Sequence, residues 1–415
     1  MRRVQFGLGA NQVSEWAYFT ALEVFAFEVG GAFAVGLVGV LSELPAAIAA
    51  PLTALLGERI RHERLLFGLA VLRSVELAAA GLAFSRGAPP ELFYALLGFD
   101  SILSSAVYPN QQGLLPRLTR SRDELATSAA VTALVESVGG GIGPVLGGVL
   151  LATTNLGVVY GVAAGVMLSS GVLFLGAPRG KPAEAAEPPA QTAPGAHAGE
   201  EDEDEEDEEE GGLISDLVEG LRAISGVPDA RLLLLLFAVD GLMEGALDVF
   251  VIVLALKVLG IGAGGVGGLA AVEMVGGLVG GAFAFRAVHV RGLGVRWTLM
   301  GLADAVPPLL LAAFPTLGVV IVMLLAWEAL DTLDEAIGLE LLRRVIPPPL
   351  IPSALGLEDS MVTLSIAIGS IVAPALVVLL GVRGGLLAIG VTAPILVLAT
   401  LTGMRRIDKR TQLAT

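Results

Sequence analysis

Apolar residues gather along this chain into runs of about 18 to 28 residues, and a run of that length crosses a bilayer as an α-helix. Twelve such spans lie near 11–31, 34–56, 65–85, 91–112, 124–152 and 157–176, then 231–257, 264–285, 296–314, 317–341, 353–380 and 384–404. Between the sixth and seventh the pattern breaks. Residues 177–230 are rich in Pro, Ala and Glu and close on a short amphipathic piece, Leu213 to Ile224, expected to lie along the membrane surface. The pattern predicts an all-α membrane protein of twelve transmembrane helices in three parts: an N-terminal six-helix bundle (1–176), a cytoplasmic acidic linker (177–230), and a C-terminal six-helix bundle with a short cytoplasmic tail (231–415).

The fifth span holds Gly139, Gly140, Gly141, Gly143, Pro144, Gly147 and Gly148. In water each glycine costs a helix about 1 kcal/mol and an interior proline about 3. A membrane helix tolerates them, because neighbouring helices re-satisfy the backbone and small residues allow close packing. The eighth span carries a similar stripe, Gly276 with Gly280 and Gly277 with Gly281. Gly262-Ala-Gly264-Gly-Val-Gly267 fits G-x-G-x-x-G but sits between two spans with no strand before it, so it reads as a tight turn and not as a nucleotide site.

Composition agrees with the pattern: 54% of residues are hydrophobic and 16% charged, against about 25% charged in a soluble domain. Eleven consecutive acids, Glu200 through Glu210, supply most of the net charge of −16 and leave −5 without them; such a run is expected to be a solvated, self-repelling linker. Met1-Arg-Arg leads directly into a full-length apolar run without a small-residue cleavage site, so no cleavable signal peptide is expected. The absence of cysteine rules out disulfides and thiolate metal sites. With the N-terminus inside, 21 Lys and Arg fall in cytoplasmic segments against 3 outside (Arg86, Lys257 and Arg383), while Arg73 lies within the third span. This bias predicts both termini in the cytoplasm, with a prokaryotic inner membrane as the expected location.

The two halves repeat. An offset of 230 residues carries Gly139-x-x-x-Gly143-Pro144 onto Gly369-x-x-x-Ala373-Pro374, Glu43 onto Glu273, and Ala106 onto Ala336. Through G-x-x-x-G-P-x-x-G-G in the fifth span, the chain resembles the drug/proton antiporter (multidrug efflux) branch of the major facilitator superfamily, whose halves are parallel repeats about an axis normal to the membrane. The loop after the second span is similar to the superfamily's loop signature: Glu58 stands at the aspartate, Arg59 matches the arginine after it and Arg64 falls among the trailing basics, while Ala54 and Arg61 replace glycines. Pro116-Arg117 through Asp123-Glu124-Leu-Ala is similar to a segment of the branch's exporters. The resemblance implies two pseudo-symmetric six-helix halves around a central cavity and transport by alternating access. It implies gating roles for Glu58, Arg59 and Arg64, and structural roles for Gly139, Gly143, Pro144, Gly147 and Gly148. It also places the fifth and eighth spans side by side, so that their glycine-rich surfaces form one sliding seam. The fourth span departs from the branch: it carries Asp100 at mid-span and no arginine. Arg73 has Glu76 one turn away as its expected partner.

Candidate chemistry lies in embedded carboxylates. Asp240, Glu244 and Asp248 recur every four residues and share one face of the seventh span. Glu328, Asp331 and Glu335 share a face of the tenth, with Asp334 off it. Glu23 and Asp100 complete the expected substrate- and proton-binding set, and Glu43, Glu136, Glu273 and Asp304 are additional cavity acids. One acid at the bilayer centre costs roughly 2.5–3.5 kcal/mol, so three facing lipid on the seventh span would cost on the order of 8–10 kcal/mol, comparable to a whole folding free energy. They are therefore expected to face the interior. Crowded carboxylates in low dielectric resist ionising together, and a cation entering among them displaces protons.

The reading is a secondary transporter and not an enzyme, since no nucleophile motif, phosphate loop or metal-ligand spacing is present. Proton-coupled export of amphipathic cationic compounds is the leading activity. Transport of a hard divalent cation or a lipid-like molecule, or a non-transporting sensor or scaffold, are the alternatives. Expected partners are membrane lipids, a small-molecule substrate and protons, with no nucleic acid, cofactor or bound metal, and the chain is expected to be a monomer. His62, His197 and His289 fall in loops, and Trp16, Tyr18, Tyr94 and Trp297 near span ends, where aromatic anchors belong.

Overall fold

Arg2–Arg59 forms a helical run of 58 residues, which drawn straight would be about 87 Å long, twice what a membrane needs. At Gly31 (φ 64°, ψ −154°) the backbone leaves helical geometry, in a region that only glycine enters freely, and the chain folds back. Val24 and Val35 meet in one core cluster, and Tyr18 and Ala26 join Ala34 and Val38 in another. The run is therefore two crossings, α1 (2–30) and α2 (32–59). Ile351–Leu413 turns in the same way at Gly381 (φ 72°, ψ 171°) into α11 (351–380) and α12 (382–413); a Cβ on Gly385 would stand 3.2 Å from the Leu376 Cβ.

This computed structural model describes residues 2–59, 61–119, 121–175, 224, 226–289 and 292–413. The other crossings are α3 (His62–Ser85), α4 (Pro90–Ser104 and Val107–Leu118), α5 (Arg122–Thr153), α6 (Leu156–Leu175), α7 (Pro228–Val253, continued by a π-helical turn, Leu254–Leu259), α8 (Gly262–Ala287), α9 (Leu293–Ala303 and Val306–Ala313) and α10 (Leu317–Val345). Among the described residues, seven helices are long and apolar enough to cross a membrane, and two of those are the runs that fold back. The other three crossings, α7, α9 and α10, fall short because α7 and α10 carry the embedded acids and α9 is broken. The acidic run Glu200–Glu210, and the amphipathic piece apart from Ile224, lie outside the described residues. Ile224 itself is buried in the core of the second half.

Within each half the repeat is visible as contact geometry. In the first half α1 packs on α5: a Cβ on Gly139 would lie 3.0 Å from the Gly9 carbonyl oxygen, one on Gly143 2.9 Å from that of Val13, and one on Gly147 would strike that of Ala17. In the second half α7 packs on α11 in the same parallel sense, with Gly241 against the Val362 carbonyl, Gly245 against that of Ile366, and Gly369 against that of Leu242.

Two seams join the halves. At the first, α5 meets α8: a Cβ on Gly148 would stand 2.5 Å from the Ala263 carbonyl oxygen, and Gly267 lies against the Pro144 carbonyl. At the second, α2 meets α11, with Gly36 against the Ser370 carbonyl and Pro374, while a Cβ on Gly39 would stand 2.6 Å from the Ser370 hydroxyl oxygen. The expected α5–α8 contact is present, but not through both stripes. Gly276 and Gly280 point instead at the Leu325 and Ala329 carbonyls of α10, because they lie on a different face of α8 from Gly267.

The seams close only one end. Near Gly31, Val24, Val35 and the half-buried Phe27, Ala32 and Leu151 merge with second-half residues into a single core. At the opposite end, where the N-terminus lies, the cores stay separate: one contains only residues 4–174 and the other only residues 224–407. Because no shared core joins the halves there among the described residues, we take this end as the mouth of the cleft.

Candidate functional site

The cleft holds a cavity of about 560 Å³ between the halves. It adjoins a second space of about 440 Å³ inside the first half, with Gln12, Trp16, Phe19, Ser42, Glu43 and Glu136 lining both. Eight carboxylates line the central cavity: Glu23, Glu43, Glu136, Glu244, Asp248, Glu273, Glu328 and Asp331. They come from α1, α2, α5, α7, α8 and α10 because helical spacing turns Glu244 with Asp248, and Glu328 with Asp331, to the same side. Among the described residues no Lys, Arg or His lines it, whereas Trp16, Phe19 and Trp327 do. Gln111 of α4 donates a hydrogen bond to Glu136.

Four of the expected site acids are elsewhere. Glu335 lies about one turn beyond Asp331 toward the mouth, exposed and off the cavity wall. Asp100 is 1% exposed and bound in two-pronged fashion by Arg73, Nε to Oδ1 at 2.7 Å and an amino nitrogen to Oδ2 at 2.8 Å. Arg73 also pairs with Glu15 at 3.0 Å, and Tyr18 donates to Asp100. The expected partner Glu76 is not the one: its Oε2 is buried without a hydrogen bond, because the guanidinium points across the bundle toward α1 and α4. Asp240 and Asp304 leave the central cavity altogether and meet Asp334 in the second half.

Trp16, Tyr18 and Trp297, expected at the membrane interface, are polar-site residues instead. Trp16 lines the cavity, while Tyr18 and Trp297 are 3% exposed and donate to Asp100 and Asp334. Their polar tips find buried acceptors, which a chain read by hydropathy cannot show. A signal for the first-half network was present: Asn11, Glu15 and Tyr18 recur at helical spacing opposite the only arginine inside a span. Arg64 is exposed, and the side chains of Glu58 and Arg59 lie outside the described residues.

The sequence profile of the Major Facilitator Superfamily matches residues 5–333. The chain belongs to the major facilitator superfamily. It is thus a multi-pass membrane transporter and not an enzyme. Solved structures with the same fold include a bacterial homolog of the human lysosomal transporter Spinster, inward-facing and unoccupied (TM-score 0.65, 15% identity, 98% of this chain and 93% of that one). Others are a POT family transporter in complex with a thioalcohol-conjugated peptide (0.72, 14%, 97% and 96%) and the nucleoside transporter NupG (0.71, 12%, 97% and 98%). No curated protein sequence matches the chain.

Proposed function

We propose that this major facilitator transporter exports amphipathic cationic compounds in exchange for protons, by alternating access. One observation carries the reading: among the described residues, eight carboxylates and no basic residue line a cavity that also presents two tryptophans and a phenylalanine. Its volume of about 560 Å³ suits a drug-sized ligand. A cation there meets opposite charge, aromatic faces attract it further, and its arrival releases protons from acids too crowded to ionise together. The resemblance of the fifth-helix motif to the drug/proton antiporter branch supports the same cargo.

On this reading the mouth faces the cytoplasm, where the arginine-rich loops place both termini, so the structure is the inward-open state. Opening the other way requires the Gly148–Gly267 and Gly36–Ser370 seams to part while the mouth closes. The protein is expected in a prokaryotic inner membrane, working as a monomer.

The test is proton flux in proteoliposomes carrying an imposed proton gradient, with lipophilic organic cations added. The wild type is expected to dissipate the gradient faster when a cation is present, and Glu244→Gln with Asp331→Asn is expected to abolish that increment. Cation-driven flux that survives both substitutions, or a response to divalent ions in place of organic cations, would overturn the proposal.

A further inference from the structure

Away from the central cavity, Asp240 of α7, Asp304 at the break in α9 and Asp334 of α10 bring one carboxylate oxygen each to within 4.8 Å of one another. They surround a cavity of about 20 Å³ whose wall, among the described residues, contains no Lys, Arg or His. Asp304 and Asp334 are 2% and 3% exposed. Both oxygens of Asp304, and Oδ1 of Asp334, are buried without a hydrogen-bond partner. The single donor is the Trp297 indole N–H, 2.5 Å from the other Asp334 oxygen.

The first half shows what such a cluster ordinarily needs. Helices α1, α3 and α4 hold Glu15 and Asp100 around the guanidinium of Arg73. Their repeat mates α7, α9 and α10 hold the three aspartates, and the 230-residue offset carries Arg73 to Ala303, next to Asp304. Where one half has a fixed cation, the other has a third acid. Buried carboxylates left so are strongly unfavourable.

We propose that Asp240, Asp304 and Asp334 bind a dehydrated, oxygen-liganded divalent cation of calcium's class, which serves the second half as Arg73 serves the first. Oxygens bound to one such ion at about 2.3–2.6 Å stand at most about 5 Å apart, and this set meets that limit. Five of the six carboxylate oxygens remain after Trp297 takes one, and Thr298, whose hydroxyl donates to the Gly294 carbonyl and keeps its lone pairs, lines the same cavity. Calcium accepts six to eight oxygens in irregular geometry, whereas magnesium keeps several waters. A space of about 20 Å³ takes a single water-sized body, so a hydrated magnesium ion does not fit.

The test uses the full chain, purified in detergent and stripped with chelator, with thermal unfolding followed against CaCl₂, MgCl₂ and NaCl at constant ionic strength. Calcium at a hundredfold excess over its dissociation constant is expected to raise the unfolding temperature by about 5–10 °C, and magnesium and sodium far less. Asp304→Asn and the half-buried Asp240→Asn are expected to lose the increment, and the central-cavity variant Glu328→Gln to keep it. The increment, not the baseline, is the readout, since removing a buried charge shifts stability by itself. Absence of any calcium increment between pH 6 and 8.5, an equal response to magnesium or sodium, or loss of the increment in Glu328→Gln but not in Asp304→Asn, each overturns the assignment.

Discussion

Arg73→Met isolates the ion network on which the first half rests. Arg73 is fully buried, holds Asp100 through two contacts of 2.7 and 2.8 Å, and pairs with Glu15 at 3.0 Å. Without it, Glu15, whose side chain is 28% exposed, can turn to water, but Asp100 at 2% cannot. Breaking a buried pair from one side costs about 3–5 kcal/mol. A six-helix half is comparable in size to domains in which 1 kcal/mol shifts Tm by about 2–4 °C, so the loss is on the order of 10 °C. Arg73→Met combined with Asp100→Leu removes both charges and, beyond the 3.4 Å contact from Arg73 to the Asn11 side-chain oxygen that both variants lose, leaves the Tyr18 hydroxyl without its acceptor, a penalty of about 1–3 kcal/mol. Its Tm is expected to lie well above that of Arg73→Met alone. Glu76→Gln, which removes a carboxylate that holds no part of Arg73, is expected to leave Tm within a few degrees. Thermal unfolding of the four proteins in one detergent decides the matter. A loss below about 1 kcal/mol for Arg73→Met, or a double variant no more stable than Arg73→Met alone, would refute the network's structural role.

Two further predictions concern the seam and the surface. Gly148→Val forces a side chain onto the Ala263 carbonyl and the Gly267 backbone, which cannot yield singly, so the halves should part at the end near Gly31. Because the chain has no cysteine of its own, one placed at Val35, 1% exposed, reports this alone; maleimide should label it faster in the Gly148→Val background, and an unchanged rate refutes the wedge. Arg410→Ala removes an ion pair with Asp229 in which Arg410 is 64% exposed. Such pairs are worth at most about 1 kcal/mol, so its melting curve should overlay the wild type's within a few degrees.

The helical stretches of the described residues fit the twelve spans read in the sequence, because each span is a local property, a run of apolar residues long enough to cross a bilayer. The spans at 34–56 and 384–404 were recognisable even though the helices before them run on through the turns at Gly31 and Gly381. The glycines of the fifth span likewise announced close packing, and the structure supplies the surfaces they meet. Glu244, Asp248, Glu328 and Asp331 were readable as interior acids, since their spacing sets a face and lipid excludes it. Only the tertiary structure decided how those acids divide. Asp100 went to Arg73, Asp240 left its own stripe for Asp304 and Asp334, Glu335 stays off the cavity wall, and Glu244, Asp248, Glu328 and Asp331 line the central cavity. Helical periodicity determines which residues share a face, but the packing of neighbouring helices determines what that face meets. A carboxylate's role depends on that second fact: beside a guanidinium it is a strut, and beside other acids it calls for a proton or a cation.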